Sequence, residues 1–424
     1  SLVGSEMCIR DRDSETVFDA VVDANGRGDY TTVQAAINAA PANLTSPYLI
    51  FIAAGTYNEC VYIPKTKPFI HLIGENPDRV KIQFALNRVE EQTNSDTWPY
   101  SIHNPNSPAR LAGYTTDQNC VVLIKATDVY LENISIINLY GALKSRYDGG
   151  LGKGGQAEAL CSHYDRLAMN NCKLVSFQDT WWTRFQKVNG TYGICRAYVQ
   201  NSWIEGSTDY IWGSGDVLIE NCTFYNTGNG SFITASRSNE TDAYGYVMKD
   251  CTIDGEAGIT AFSFGRQQST SAKAVFINTA LKMDIIDGHW TAGSAAPALF
   301  GEYNTVDKNN QVISTGDMTV GSGSSQFTAK VLSADEAAGY TYENIIAREG
   351  WNPKQYMQTP GTTMATLEGT TLSWNAIDGA AGYLIFVNGV YLAQTTETSV
   401  SVTTAADGVY TVRGVGHYGS ISAE

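Results

Sequence analysis

The chain has 424 residues, 43% hydrophobic and only 17% charged, with 28 Lys+Arg against 43 Asp+Glu for a net charge of −15. So few charges, against roughly 25% in ordinary globular chains, exclude a coiled coil or a charged-surface helical bundle, and an acidic balance without a Lys/Arg cluster excludes a nucleic-acid binder. The 40 Gly and 24 Tyr suit a β-rich protein with many turns, and no apolar run approaches the roughly 18 residues of a transmembrane segment.

Residues 1–12 (SLVGSEMCIRDR) fit nothing downstream. They resemble a translated adapter and are expected to be a non-native leader, so a native export signal is out of view. Thr31 to Ala40 reads as a short amphipathic helix with a Thr cap and Pro41 just beyond it, suited to sealing the end of a stack. Arg88 to Tyr114 is long, polar and aromatic, with Trp98, Pro99 and Tyr100, and reads as an insertion folding over one side of the body. A repeat follows. Short segments opening at Asn133, Asn171, Asn201, Asn221, Asp250 and Asn278 each run from a polar turn residue to an apolar strand, at intervals of 38, 30, 20, 29 and 28. One such coil cannot bury its own inner face, so coils stack and equivalent residues form ladders. Cys172, Cys222 and Cys251 follow the turn residue and are expected to stack as free, buried thiols. The eight cysteines show no CxxC pair and no Cys/His metal spacing, so no metal is expected. Ser333-Ala334-Asp335-Glu336 is a capping box that opens a second helix. Beyond Trp351-Asn352-Pro353 the composition shifts to alternating strands at Thr371–Trp374, Tyr383–Val387 and Tyr410–Arg413, similar to a fibronectin type III sandwich but short for one. The expected fold is all-β: a right-handed parallel β-helix over 13–355, followed by a small β-sandwich over 362–424.

On such a scaffold, residues one coil apart lie about 4.8 Å apart on a shared outer wall. Gln156, Asp179 and Asp209 are separated by 23 and 30, Arg266 follows 57 later, and Gln178 adjoins Asp179. That predicts one cluster of two carboxylates, two amides and a guanidinium. Neighbouring carboxylates separate their pKa values, so one can serve as nucleophile and the other as acid. Arginine aims a carboxylate, and amides donate to a developing oxyanion. The set is equipped for acyl transfer without Ser, His or metal. Either Asp alone would read as a turn residue. His71, His103, His163, His289 and His417 are scattered and suggest no triad.

Five ordered blocks carry a family resemblance: Gly55-Thr56-Tyr57-Asn58-Glu59, Gln156-Ala157-Glu158-Ala159-Leu160, Gln178-Asp179-Thr180, Asp209-Tyr210-Ile211-Trp212-Gly213 and Phe264-Gly265-Arg266. Together they resemble the signature blocks of pectin methylesterases, over about residues 16 to 355. The resemblance implies hydrolysis of galacturonate methyl esters in pectin without a cofactor. It implies Asp209 as nucleophile, Asp179 as acid and then base, Gln178 and Gln156 as oxyanion donors, and Arg266 as the partner of Asp209. Trp212 takes the place of a sugar-contacting aromatic, with Tyr210, Trp181 and Trp182 as further substrate-binding candidates. Two positions depart from the family: Glu158 stands where Val is frequent, and Gln267-Gln268 stand where Pro-Trp usually follows the arginine. A secreted, periplasmic or cell-surface monomer is expected, with pectin as partner, no nucleic acid and no transmembrane segment. The alternatives are a polysaccharide lyase on the same scaffold and a non-catalytic pectin-binding surface protein. The groove is expected to be less negative than the rest of the surface.

Overall fold

A computed structural model describes residues 16–88, 112, 120–184, 187, 190–403 and 408–423. The leader, and all of the Arg88-to-Tyr114 insertion except Arg88 and Ala112, lie outside the described residues. That includes Trp98, Pro99, Tyr100 and His103.

Strands of two to six residues alternate with tight turns through most of the chain. Among the described residues they build three long sheets of 12, 7 and 8 strands, with each coil adding a strand to successive sheets. The ladders are parallel almost throughout, as the stacking argument requires. One inward file runs Ile136, Leu174, Ile204, Phe224 and Ile253 in unbroken register, each at most 1% exposed. Burying one such side chain contributes about 1.5–3 kcal/mol, so the stacked files are the fold's main source of stability.

The turn residues explain the sequence repeat. Asn133, Asn171, Asn201, Asn221, Asp250 and Asn278 all hold a left-handed backbone, with φ between 50° and 58°, and Asn304 continues the series at 53°. Asn and Asp tolerate this region far better than other side chains. Their amides also link coil to coil. Asn171 Nδ2 donates to Asn133 Oδ1 at 2.8 Å, Asn221 to Asn201 at 2.6 Å, Asn278 to Asp250 at 2.8 Å and Asn304 to Asn278 at 3.0 Å. Cys172, Cys222 and Cys251 follow these turns as buried free thiols.

The first end of the stack is closed by a helix, Val33–Ala39, which buries Val33, Ala36 and Ile37. Thr32 caps it through Ala35 N at 3.2 Å. Glu59, the acid of the Gly55–Glu59 block, adds a second cap by accepting from Val33 N and Gln34 N at 2.8 and 3.0 Å. That block therefore fastens the lid. The Ser333/Glu336 capping box is present and opens the helix Ala334–Ala338.

The C-terminal strands form two three-stranded antiparallel sheets: Ala365–Glu368, Thr371–Trp374 and Ser399–Ser401 in one, and Val390–Thr395, Ala380–Val387 and Tyr410–Gly416 in the other. They enclose Leu372, Trp374, Tyr383, Ile385, Val402 and Val412. The second sheet also shares a core with the outer face of the 12-stranded sheet, where Leu384, Phe386, Tyr391 and Val415 meet Phe18, Phe51, Ile73 and Tyr130. Polar contacts fix this union. Gln394 Oε1 accepts from Val17 N and Phe18 N at 3.0 and 2.8 Å, Arg413 Nη1 donates to Glu75 O at 3.0 Å, and Ser420 Oγ donates to Glu132 Oε1 at 2.9 Å. Burial in this seam pushes the Glu132 carboxyl up to about 7.

Candidate active site

The residues singled out in the sequence converge on the 7-stranded sheet. Gln156 pairs with Gln178, and Gln178 with Thr208, as parallel bridges. Just beyond them Trp181 pairs with Ile211 and Trp182 with Trp212. Asp179 and Asp209 thus hold the same place on consecutive coils, one rung or about 4.8 Å apart along the wall. Both have left-handed φ values, 61° and 51°. Each acid sits on the turn that feeds its strand, and Asp179 N donates across the rung to Thr208 O at 3.0 Å.

Arg266 grips both oxygens of Asp209, with Nε to Oδ1 at 2.9 Å and Nη2 to Oδ2 at 2.6 Å. Its guanidinium lies over Phe232, 4.8 Å from the ring centre. A fork on both oxygens fixes the carboxylate's plane. At Gly265, just before it, a Cβ would stand 2.0 Å from Thr234 Oγ1, so the strand carrying Arg266 packs this closely on its neighbour only with glycine there. The Gln156 amide hydrogen-bonds Asp179, and Arg88 Nη1 donates to Gln156 Oε1 at 3.4 Å. Gln178 is half-buried beside them. The Asp179 carboxyl is pushed up to about 8, mainly by burial and then by the Glu158 and Asp209 carboxylates, while Gln156 and Arg266 pull the other way. The shift favours the protonated form of Asp179, the form a general acid uses.

The four aromatic candidates divide into two pairs. Trp182 and Trp212 stack with ring centres 4.6 Å apart and planes within 7°, and both border the groove half-buried. Trp181 and Tyr210 are fully buried, which corrects their assignment as sugar contacts. Trp181 Nε1 donates to Ser162 Oγ at 3.0 Å, and Tyr210 Oη donates to Asn226 Oδ1 at 3.2 Å. Successive strand residues face opposite ways, so if Trp182 looks outward its neighbour Trp181 must look inward.

A hollow beside the stacked tryptophans is lined by Arg88, Arg184, Tyr192 and Arg237, and Gln156, Gln178, Asp179, Asp209 and Arg266 lie outside its described lining. Arg184 lies 5.2 Å over the Trp182 ring. The sequence reading missed these arginines, although Arg184 stands two residues past Trp182 and so shares its face. His163 packs against Trp182 at 5.5 Å between ring centres, and burial drives its imidazole down to about 3, leaving it neutral. Among the described residues no cluster of His, Cys, Asp and Glu could hold a metal ion.

A family model described as pectinesterase matches residues 19–104 and 106–349. The chain is 27% identical over 338 residues to the probable pectinesterase A of Neosartorya fischeri, covering 79% of this chain and 88% of that protein. It is 29% identical over 288 residues to pectinesterase 31 of Arabidopsis thaliana, covering 66% and 80%. The carrot pectin methylesterase structure superposes with a TM-score of 0.61 at 22% identity, over 82% of this chain and 98% of that one. A pectin methylesterase solved in complex with hexasaccharide VII superposes at 0.59 and 23% identity, over 80% and 99%.

Proposed function

The chain belongs to the pectinesterase family, and from this we propose how its residues act: it is a carboxylic ester hydrolase that removes methyl esters from the galacturonate units of pectin, with Asp209 as nucleophile and Asp179 as acid and base. The carrying observation is the single wall on which Arg266 holds both oxygens of Asp209 one rung from a buried Asp179 whose carboxyl is pushed upward by burial. An Asp209 oxygen attacks the ester carbonyl, and the electron pair moves to the carbonyl oxygen, which receives hydrogen bonds from the Gln178 and Gln156 amides. As that pair returns, the carbon–methoxy bond breaks and Asp179 gives its proton to the departing methoxy oxygen, releasing methanol. Asp179, now ionised, takes a proton from water, and the water oxygen attacks the acyl carbon of the mixed anhydride. That step frees the galacturonate carboxylate and regenerates Asp209.

Trp182 and Trp212 give the polymer a flat apolar surface to lie on, and Arg88, Arg184 and Arg237 supply positive charge for its free carboxylates. This local balance lets a protein of net charge −15 receive a polyanion. The enzyme acts as a monomer outside the cytoplasm, where its polymer lies; among the described residues no helix is long and apolar enough to cross a membrane. Residues 13–355 are the catalytic domain, and 362–424 a fibronectin type III-like module. The strand order supports the latter, with the first, second and fifth strands in one sheet and the third, fourth and sixth in the other. Methanol release from methyl-esterified pectin tests the reading. Unsaturated uronide in place of methanol would mean a lyase, and binding without either product a non-catalytic pectin receptor.

A further inference from the structure

Glu158 lies two residues past Gln156, on the coil that precedes Asp179. Its backbone oxygen is fixed by Val121 N at 3.2 Å and by Asn138 Nδ2 at 3.0 Å. Its side chain is 4% exposed, and Oε2 has no hydrogen-bond partner. The backbone places it beside Asp179: Ala157 N donates to Gln178 O at 3.2 Å and Ala159 N to Thr180 O at 2.9 Å, so Glu158 spans the rung that Asp179 occupies on the next coil. The charged and titratable groups facing it are Asp179 itself, the Cys120 and Cys161 thiols, and Arg88. Arg88 directs its hydrogen bond to Gln156, and a buried thiol offers no counter-charge. A void-filling side chain here would be apolar. A carboxyl left unpaired in an apolar site resists ionisation, and a second acid beside it finds ionisation harder still.

The wall therefore has a polarity. The buried Glu158 carboxyl, with Oε2 unpartnered and Arg88 nearby, stands at one end, Asp179 and Asp209 follow, and Arg266 stands at the other, paired to Asp209. We propose that Glu158 is a positioning residue that keeps the proton on its neighbour Asp179 at neutral and mildly alkaline pH, so that Asp179 is ready to protonate the leaving group. The inference rests on the esterase reading for the identity of the reaction, and on burial, register and the missing partner for the rest. The two acids titrate as a pair, so the prediction concerns the pair's upper step.

The test compares wild type with Glu158→Gln and Glu158→Val. In the pH profile of kcat/KM for methanol release, the alkaline limb is expected to move down by about one pH unit in both variants. The activity loss relative to wild type is then about fivefold larger at pH 8 than at pH 6. A limb at the wild-type position in both variants overturns the proposal, because a merely space-filling residue would scale the profile without moving it. Glu158→Gln keeps the shape, so a fold lost only in Glu158→Val leaves the comparison intact. Carbon-13 NMR of protein labelled at the aspartate carboxyls, with the Asp179 signal assigned by Asp179→Asn, reads the same titration without turnover. A midpoint lowered by about one unit in Glu158→Gln supports the proposal, and an unchanged midpoint overturns it. Wild-type protein that releases no methanol from pectin would sink the esterase reading, and the NMR titration would still decide the role of Glu158.

Discussion

Asp179 and Asp209 meet two demands at once. The chemistry proposed for them needs a carboxyl, and their backbone sits in the left-handed region, at φ of 61° and 51°, which Asp and Asn tolerate and Ala does not. The bland reading of each as a turn residue and the catalytic reading are therefore compatible. Asp179→Asn and Asp209→Asn are expected to keep the fold while cutting methanol release by at least about 100-fold, with melting curves superimposable on wild type. Asp179→Ala should lose the same activity and, in urea titration, about 1 kcal/mol of stability as well. Adjacent tryptophans give a second contrast. Trp212→Ala removes a half-buried ring at the groove border, stacked on Trp182, and should raise KM for pectin more than it lowers kcat. Trp181→Ala empties a fully buried site and should cost about 3–5 kcal/mol of stability, visible in a denaturant midpoint. Reversed outcomes for that pair would mean the sheet presents the opposite face to the polymer.

Strands and turns explain what could be read from the sequence and what could not. The coil repeat was legible because its turn residue is Asn or Asp, and the gathering of Gln156, Gln178, Asp179, Asp209 and Arg266 because they recur in step with the coils. Facing was harder to read. The pairing offset is 22 between Gln156 and Gln178 but 21 between Leu160 and Trp181, so the Gln156–Leu160 segment carries one residue more than its partner and the alternation shifts beside Glu158. Arg184 was within reach of the alternation, two residues past Trp182, whereas Arg237 comes from a later coil and carries no local signal. Glu59 was legible as part of a motif, but not as a helix cap, because the helix it caps lies some 25 residues earlier. Gly213 shows how tightly consecutive coils approach: its φ is 114°, and a Cβ would stand 1.8 Å from Thr183 O. Gly213→Ala is expected to displace Trp212 and lower kcat/KM, with a reduced melting temperature as the accompanying sign.

At the scale of the whole molecule, the buried acids predict how stability varies with pH. Glu132, Glu158 and Asp179 have carboxyls raised to about 7, about 7 and about 8, against roughly 4 in an unfolded chain. The folded state holds these protons more tightly, so their contribution is full below about pH 4 and is lost as pH rises toward 8. Calorimetry should find a melting temperature that falls from pH 5 to pH 8, and Glu132→Gln should flatten part of that slope. Glu132 lies in the seam between the two β units, a contact that local patterning could not reveal because its partners come from distant parts of the chain. Removing residues 359–424 should bare Phe51, Ile73 and Tyr130, increase binding of a hydrophobic dye and lower the melting temperature. The clasp of Gln394 on the Phe18 amide joins positions 376 apart in sequence. During synthesis, which runs at about 5–20 residues per second, the first-made coil must wait many seconds with that face bare before its cover emerges from the ribosome. Until then the nascent chain carries one apolar surface that only its last-made strands will cover.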